Sequence, residues 1–513
     1  MRELGIFTDG TICAPATIPG TGAISIIRVS GEDSLAIADK VIDVKGESLS
    51  ETEGYRLRYG TIFADDGSVL DNVIVSVFRA PHSYTGENSV EISCHASRFI
   101  VNAVLELLVN AGARIAAPGE FTRRAFVNGK MDLAQAEAVA DVIASQSAAA
   151  HRVAMNQLKG GFSSELRVLR EKLLTMTSLL ELELDFSEED VEFASRSELG
   201  ALVEETLTHI VRLTDSFSRG NAIKNGVPVA IVGATNTGKS TLLNALLGEE
   251  RAIVSDIAGT TRDTIEETLN LGGVMFRFID TAGIRETDEL VEKIGIERTF
   301  KKLDEASIVL GMTDLSRGED SVLADAEYIL SKVNASSSDR EFVLLVNKCD
   351  VDGIESVAAG FAGVGSRAGF AGTGSGAGYV ETGSEAGCAG KSGKMARIEA
   401  ALREKGIVTK MIPISAKTGS GLPELTEALA EIGRRITGDT DETLVTNIRH
   451  YEALSRAATA LGRVRDGLKV ATLPPDLIAQ DLREALYHLG EIVGEISTDE
   501  VLGNIFRKFC IGK

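Results

Sequence analysis

Tryptophan is absent from the 513 residues, aromatic side chains make up only 5% of them, and there are just nine prolines. Apolar residues still reach 44% and charged residues 25%, an ordinary globular balance that excludes a disordered acidic chain. No run of about 18 uncharged apolar residues occurs, which excludes a membrane-spanning helix. The start MRELGIFTDG carries acids where a secretory signal would carry a basic and then an apolar run. A cytoplasmic protein without a membrane partner is expected. The five cysteines, Cys13, Cys94, Cys349, Cys388 and Cys510, are odd in number, widely spaced and free of any C-x-x-C pair. That pattern argues against both a disulfide framework and a structural zinc site. Positive charge is also scarce: 53 Lys and Arg face 75 Asp and Glu, a net charge of -22, so any nucleic-acid contact must be local rather than driven by the whole-molecule field.

What the chain has is length for about three domains. Residues 1–125 mix short β-type runs (AISIIRVSG, VIVSVFRA, SVEISCH) with turn residues and predict an α+β domain. From Met131 the pattern becomes Ala-, Leu- and Glu-rich with three- and four-residue apolar spacing, predicting long helices over 126–225 broken near Gly160 and Gly161. A second helical stretch over 437–513 contains a helix start at Pro474, Pro475 and Asp476. Between them, 226–436 alternates the strands VPVAIVG, FRFIDTAG, SIVLGMTD, FVLLVNKCD and KMIPISAK with helices, which predicts a parallel α/β domain. The fold class expected is therefore an α+β N-terminal domain and a discontinuous α-helical domain, with a P-loop α/β domain inserted into it. Glycine is unevenly placed: of 52 in all, 12 fall in the 34 positions 360–393, which predicts a flexible surface insertion.

Gly233-Ala234-Thr235-Asn236-Thr237-Gly238-Lys239-Ser240 fits G-x-x-x-x-G-K-[ST] and lies between an expected strand and an expected helix, the context a phosphate-binding loop requires. Its backbone N–H groups and the helix N-terminus can close on phosphates, Lys239 can reach the β and γ groups, and Ser240 can ligate Mg²⁺. Asp280-Thr281-Ala282-Gly283 follows a strand, so Asp280 can hold the metal's water shell and Gly283 N–H can meet a γ-phosphate. In Asn347-Lys348-Cys349-Asp350 the last carboxylate can accept two hydrogen bonds from guanine N1–H and N2, a pair adenine lacks. Ser415-Ala416-Lys417 can offer a main-chain N–H to guanine O6. Gly259-Thr260-Thr261-Arg262-Asp263 supplies a switch loop, with Thr261 the second hydroxyl for Mg²⁺. The P-loop, D-T-A-G, N-K-C-D and S-A-K, four strand-end elements in this chain order, indicate a GTP-binding domain. Many GTPases place a water-orienting Gln after the D-T-A-G Gly, and here Ile284 stands instead.

Together with PGTGAISIIRVSG, SYTGENSVEISCH, PGEFTRRAFVNGKMDLAQAEAVADVI, DIAGTTRD, DTAGIRETDELVEKIGIER and the terminal FCIGK, these motifs resemble the tRNA modification GTPases of the TrmE/MnmE family over nearly the whole chain. The resemblance implies a homodimer whose N-terminal domain binds a tetrahydrofolate derivative (5,10-methylene- or 5-formyl-tetrahydrofolate) and dimerises. It also implies a potassium-stimulated GTPase, and a flavin- and NADH-dependent partner forming a heterotetramer that shares the addition of a carboxymethylaminomethyl group to C5 of the tRNA wobble uridine. Carried onto this sequence, the K⁺ ligands are Asn236, Ser255, Ile257 and Thr260. The catalytic residues are Glu292 and Lys239, and nucleotide contacts extend to Thr241, Asp256 and Ala258. The folate-contacting residues are Arg28, Glu91, Lys130 and Lys513, with Cys510 close by in the tail. CHASRF departs from the His-Gly-Gly common at that point of the family. A rival reading is a regulatory or assembly GTPase without modification chemistry. The acidic balance implies that tRNA is held by the partner or by a local basic patch such as Arg123, Arg124 and Lys130.

Overall fold

A computed structural model describes residues 10–185, 195–250, 267–279, 306–334, 340–350, 385–405, 409–438, 442–470, 474–496, 499–507, 509 and 512. The chain divides into two compact units, one made of Met1–Ser145, His151–Phe217 and Asp441–Lys513 and the other of Gln146–Ala150 and Ser218–Thr440. The interruption is double: besides the long insertion, five residues that follow the helix Leu133–Ala144 also belong to the second unit.

The first unit opens with a seven-stranded sheet in the order β3-β4-β5-β6-β2-β1-β7. Its strands are β1 (Ile12–Pro15), β2 (Ile24–Ser30), β3 (Ile42–Val44), β4 (Arg56–Phe63), β5 (Val69–Phe78), β6 (Ser89–His95) and β7 (Arg114–Ile115). β4 was not among the strand runs read from the sequence: RLRYGTIF puts Leu57, Tyr59 and Phe63 outward, exposed, and buries only Gly60 and Ile62, so it lacks the usual apolar-in signal. One face of the sheet, with Ile27, Val29, Val73, Val75, Val90 and Ile92, packs against the helices Ser34–Val41 and Arg98–Asn110. Part of the other face, around Ile12 and Ala14, is covered by Phe121 of the helix Glu120–Val127 and by Tyr84.

The rest of this unit is helical. Helices Gly161–Asp185 and Arg196–Asp215 from before the insertion pack with Ile448–Leu468 and Pro475–Val493 from after it. The apolar positions recur at helical spacing: Leu166, Leu173 and Leu180 on one, Leu199, Val203 and Ile210 on the next, Leu454, Leu461 and Val464 on the third, Leu482, Leu486 and Leu489 on the last. Each stripe is buried only because the others cover it. The last of these helices starts at Pro475, where its fixed φ suits a first helical position. A capping box at Asp132 and Gln135 starts Leu133–Ala144, and that helix stops at Ser145, a break additional to the expected one, which falls at Gly160 between the helices Ala148–Leu158 and Gly161–Asp185.

The second unit holds a six-stranded sheet in the order β13-β12-β11-β8-β10-β9. It comprises β8 (Val227–Gly233), β9 (Glu267–Leu271), β10 (Val274–Ile279), β11 (Ile308–Asp314), β12 (Glu341–Asn347) and β13 (Lys410–Pro413). β8 and β11 are buried almost throughout, as central strands covered on both faces must be. The sheet is not wholly parallel as the alternation predicts. β9 runs antiparallel to β10, because Gly272 and Gly273, both with positive φ, make a two-residue hairpin between them. The glycine-rich block also differs from expectation at its end. Residues 385–393 belong to the helix Glu385–Glu404, where the chain runs into the helix-forming stretch MARIEAALRE and buries Ile398 and Leu402. Residues 360–384 lie outside the described residues. No described helix is long and apolar enough to cross a membrane.

Candidate functional site

The loops that follow β8, β11, β12 and β13 all leave the carboxyl ends of parallel strands, the edge at which open α/β sheets bind ligands. After β8 the chain turns through Asn236 (φ 59°) and Gly238 (φ 100°) into the helix Lys239–Glu250. Gly238 is required twice over, since its φ is left-handed and a Cβ there would overlap Asn347 Nδ2. Thr237 is wholly buried and its hydroxyl donates to Ala234 O at 2.9 Å. Lys239 folds back over the loop and donates from Nζ to Gly233 O (2.9 Å) and Ala234 O (2.7 Å). Burial lowers its pKa. No carboxylate among the described residues pairs with this ammonium, so a desolvated cation sits at a helix N-terminus held by neutral carbonyls alone. That is a donor set suited to an anion. Ser240 and Thr241 occupy the next two positions of the helix.

At the other end of the site, Asn347 joins three loops. Its Nδ2 donates to Thr237 O at 2.6 Å, and its Oδ1 accepts from Ala416 N at 3.0 Å. Ser415 and Ala416 are buried, and Lys417 and Asp350 are exposed. Lys348 takes a left-handed φ of 64°, which aims its side chain back to the end of β11, where Nζ meets Asp314 Oδ2 at 2.7 Å. Neither the stapling role of Asn347 nor the involvement of Asp314 was foreseen. The available signal was the register: Asp314 and Asn347 end adjacent strands side by side.

In the first unit the structure brings Arg28 and Glu91 together as opposed residues of β2 and β6. Arg28 Nε and Nη2 lie 2.9 and 2.8 Å from Glu91 Oε1. The guanidinium lies over two rings, its Cζ 5.1 Å from the Tyr84 centroid and 5.6 Å from that of Phe121. Tyr84 is fixed in turn by a hydrogen bond between its hydroxyl and that of Thr122 (2.8 Å). Lys130 is exposed and its Nζ donates to Pro81 O at 3.0 Å. Near the tail, Gly512 lies so close to β1 that a Cβ would overlap Pro15 O, and Pro15 pairs with Ile27, the residue before Arg28. In CHASRF, His95 Nδ1 sits 2.7 Å from Asp71 Oδ1, with the imidazole exposed and the carboxylate buried.

One expectation about charge is corrected. Arg124 does not join a basic patch: it is buried, lies 3.0 Å from Glu87 and 3.2 Å from Glu120, and donates to Gly10 O. Four residues from Glu120 on the same helix, it faces inward with it. Ser255, Asp256, Ile257, Ala258, Gly259, Thr260, Thr261, Asp280, Thr281, Ala282, Gly283, Glu292, Cys510 and Lys513 lie outside the described residues.

Comparison with known proteins matches residues 11–130 to the family model described as GTP-binding protein TrmE N-terminus and residues 133–510 to that of the MnmE helical domain. The chain is 49% identical over 507 residues to the tRNA modification GTPase MnmE of Parabacteroides distasonis, covering 98% of this chain and 100% of that one. It is likewise 49% identical to the protein of that name from Bacteroides thetaiotaomicron (98% and 99% covered) and 45% identical to that of Flavobacterium johnsoniae (99% and 100%). Motifs, site geometry and full-length similarity agree, and the chain belongs to the MnmE family of tRNA modification GTPases.

Proposed function

We propose that the six-stranded unit binds GTP with Mg²⁺ and K⁺ at the carboxyl ends of its parallel strands and hydrolyses it. The observation that carries this reading is the Lys239 ammonium, desolvated at the start of a helix and bonded, among the described residues, to Gly233 O and Ala234 O. An incoming phosphate takes the place of those carbonyls and gains a charge-assisted bond. Asp350, exposed beside the Asn347 staple, reads the guanine amidine edge. Ser240 and Thr261 hold Mg²⁺; Asn236, Ser255, Ile257 and Thr260 hold K⁺. Bound there, the two cations would neutralise the negative charge that develops on the phosphate oxygens. Glu292 orients the attacking water, whose oxygen bonds to the γ-phosphorus as the bond to the β–γ bridging oxygen breaks, giving GDP and inorganic phosphate.

The first unit, on this proposal, binds a tetrahydrofolate derivative through Arg28, Glu91, Lys130 and Lys513 and dimerises. The Arg28–Glu91 pair, partly exposed at the edge of an uncovered apolar face, supports both parts of that reading. With a flavin- and NADH-dependent partner in a heterotetramer, the homodimer takes part in adding the carboxymethylaminomethyl group to C5 of the tRNA wobble uridine. The loss of Arg124 from the surface and the net charge of -22 favour tRNA being held chiefly by that partner. Replacing NaCl by KCl is expected to raise GTP turnover, and Glu292→Ala to abolish turnover while nucleotide affinity stays. Equal rates in the two salts would remove the K⁺ assignment, and unchanged wobble nucleosides in tRNA from a strain lacking the protein would remove the modification role.

A further inference from the structure

We infer that Asp314 is a positioning residue for guanine-nucleotide binding, acting through Lys348. The inference rests on the nucleotide reading above and adds a residue that none of the sequence motifs contains. Asp314 ends β11 directly beside Asn347 at the end of β12, which brings its carboxylate within reach of the next residue, Lys348. The carboxylate is almost wholly buried and accepts three hydrogen bonds: from Lys348 Nζ (2.7 Å), Ser316 N (3.0 Å) and Ser316 Oγ (2.6 Å). Burial pushes its pKa up, but the bonds from Lys348 and Ser316 outweigh burial and hold it below the usual carboxylate range. Asp314 is therefore a fixed anion.

Two consequences follow for Lys348. First, a lysine anchored by its ammonium presents its four-carbon stem as an apolar strip, and the stem here starts two residues before the base-reading Asp350. A flat purine held by Asp350 can lie against it without ordering the chain on arrival. Second, the anchored ammonium is kept from the exposed Asp350 carboxylate, the anion of its own motif. Released, it would pair with Asp350 and compete with guanine for the acceptor oxygens. Ser316 completes the device by holding Oδ1 while Lys348 holds Oδ2, so that Asp314 does not swing toward solvent with its partner.

The test uses the full chain, with methylanthraniloyl-GDP titration and GTP turnover. D314N is expected to weaken GDP binding by roughly tenfold, the order of one charge-assisted hydrogen bond, and to raise KM for GTP by a similar factor with kcat unchanged. In a K348M background the same substitution should change nothing, because the anchor then has no charge to hold. D314E, which keeps the charge one methylene farther out, serves where D314N does not fold, and its smaller loss must vanish in K348M as well. Wild-type affinity in D314N, an equal loss with and without the lysine, or a fall in kcat at constant KM would overturn the positioning role. Failure of the unsubstituted chain to bind the GDP probe would instead overturn the nucleotide reading beneath it.

Discussion

Asp350 is exposed while every other described residue of its motif is at least half-buried, and the proposed base specificity therefore rests on one side chain. Its two acceptor oxygens match the two donors of guanine; an amide at the same place offers one acceptor and one donor group, which matches the N1–H and C2 carbonyl of xanthine. Asp350→Asn is therefore expected to lower affinity for GTP by a hundredfold or more, about 3 kcal/mol, and to raise it for xanthosine triphosphate. Competition titrations with the two nucleotides measure the exchange. At this scale the sequence was explicit about the residues proposed to meet the ligand and silent about those that hold them. G-x-x-x-x-G-K-S and N-K-C-D have fixed spacing because a loop closes on a phosphate or a base. Asp314 and Tyr84 do their work across strands, at separations of 34 residues from Lys348 and 56 from Arg28, and no local pattern marks such partners.

Among the elements, the helices on either side of the insertion are joined by polar bonds as well as by the shared core. Glu137, on Leu133–Ala144, accepts from Arg449 Nε (3.0 Å) and Nη2 (2.9 Å) and lies 2.7 Å from His450 Nε2 at the start of Ile448–Leu468. Arg449 also donates to Glu491 O and Ile492 O at the end of Pro475–Val493, and Phe162 stacks on His450 with centroids 5.3 Å apart. Burial pushes the Glu137 carboxyl up, and the His450 and Arg449 charges with their hydrogen bonds outweigh it, holding it down at about 2 from an ordinary 4.5. A depressed carboxylate contributes stability that is complete above its unfolded pKa and is lost as pH falls toward the folded one. The window here runs from about 4.5 down to about 2, and the contribution at neutral pH is of the order of 3 kcal/mol. Glu137→Gln leaves Arg449 and His450 buried beside a neutral amide and is expected to cost about 3–5 kcal/mol at pH 7. Urea unfolding of both chains at pH 7 and pH 3 measures it: the gap should narrow on acidification, and an equal gap at both pH values would refute the assignment. The helices themselves were legible because their apolar stripes repeat at three and four residues. Their mutual packing was legible only as unfinished faces, since the ion cluster that fixes their register spans more than 300 residues.

On the scale of the whole molecule, the exposed face of the N-terminal sheet is, among the described residues, a surface that calls for a partner. Directly opposed residues of adjacent strands point to the same side, so Tyr59, Ile74, Ser93 and Ile26 form one row and Leu57, Ser76, Glu91 and Arg28 the next. Where the helix Glu120–Val127 and Tyr84 stop covering this face, Leu57 (69% exposed), Tyr59 (62%) and Ile74 (48%) lie open, with Ile24 (66%) farther along β2. Side chains of this size grouped on a flat sheet are unusual for a surface that meets only water. Arg28 and Glu91 lie at the margin of the patch, so a second copy seated on it encloses the pair from the open side and shields its charge-assisted bonds from solvent. On the proposed reading, dimerisation and ligand binding would then be linked through one face. Tyr59→Glu places a charge in the middle of the patch, while the outward position leaves the core beneath untouched, so folding should be retained. It is expected to shift the chain from dimer to monomer in sedimentation velocity and to weaken binding of 5-formyl-tetrahydrofolate at the same protein concentration. Raising the concentration should restore both together if the site is completed by the second copy, whereas a dimer that persists in Tyr59→Glu would place the subunit contact elsewhere on the molecule.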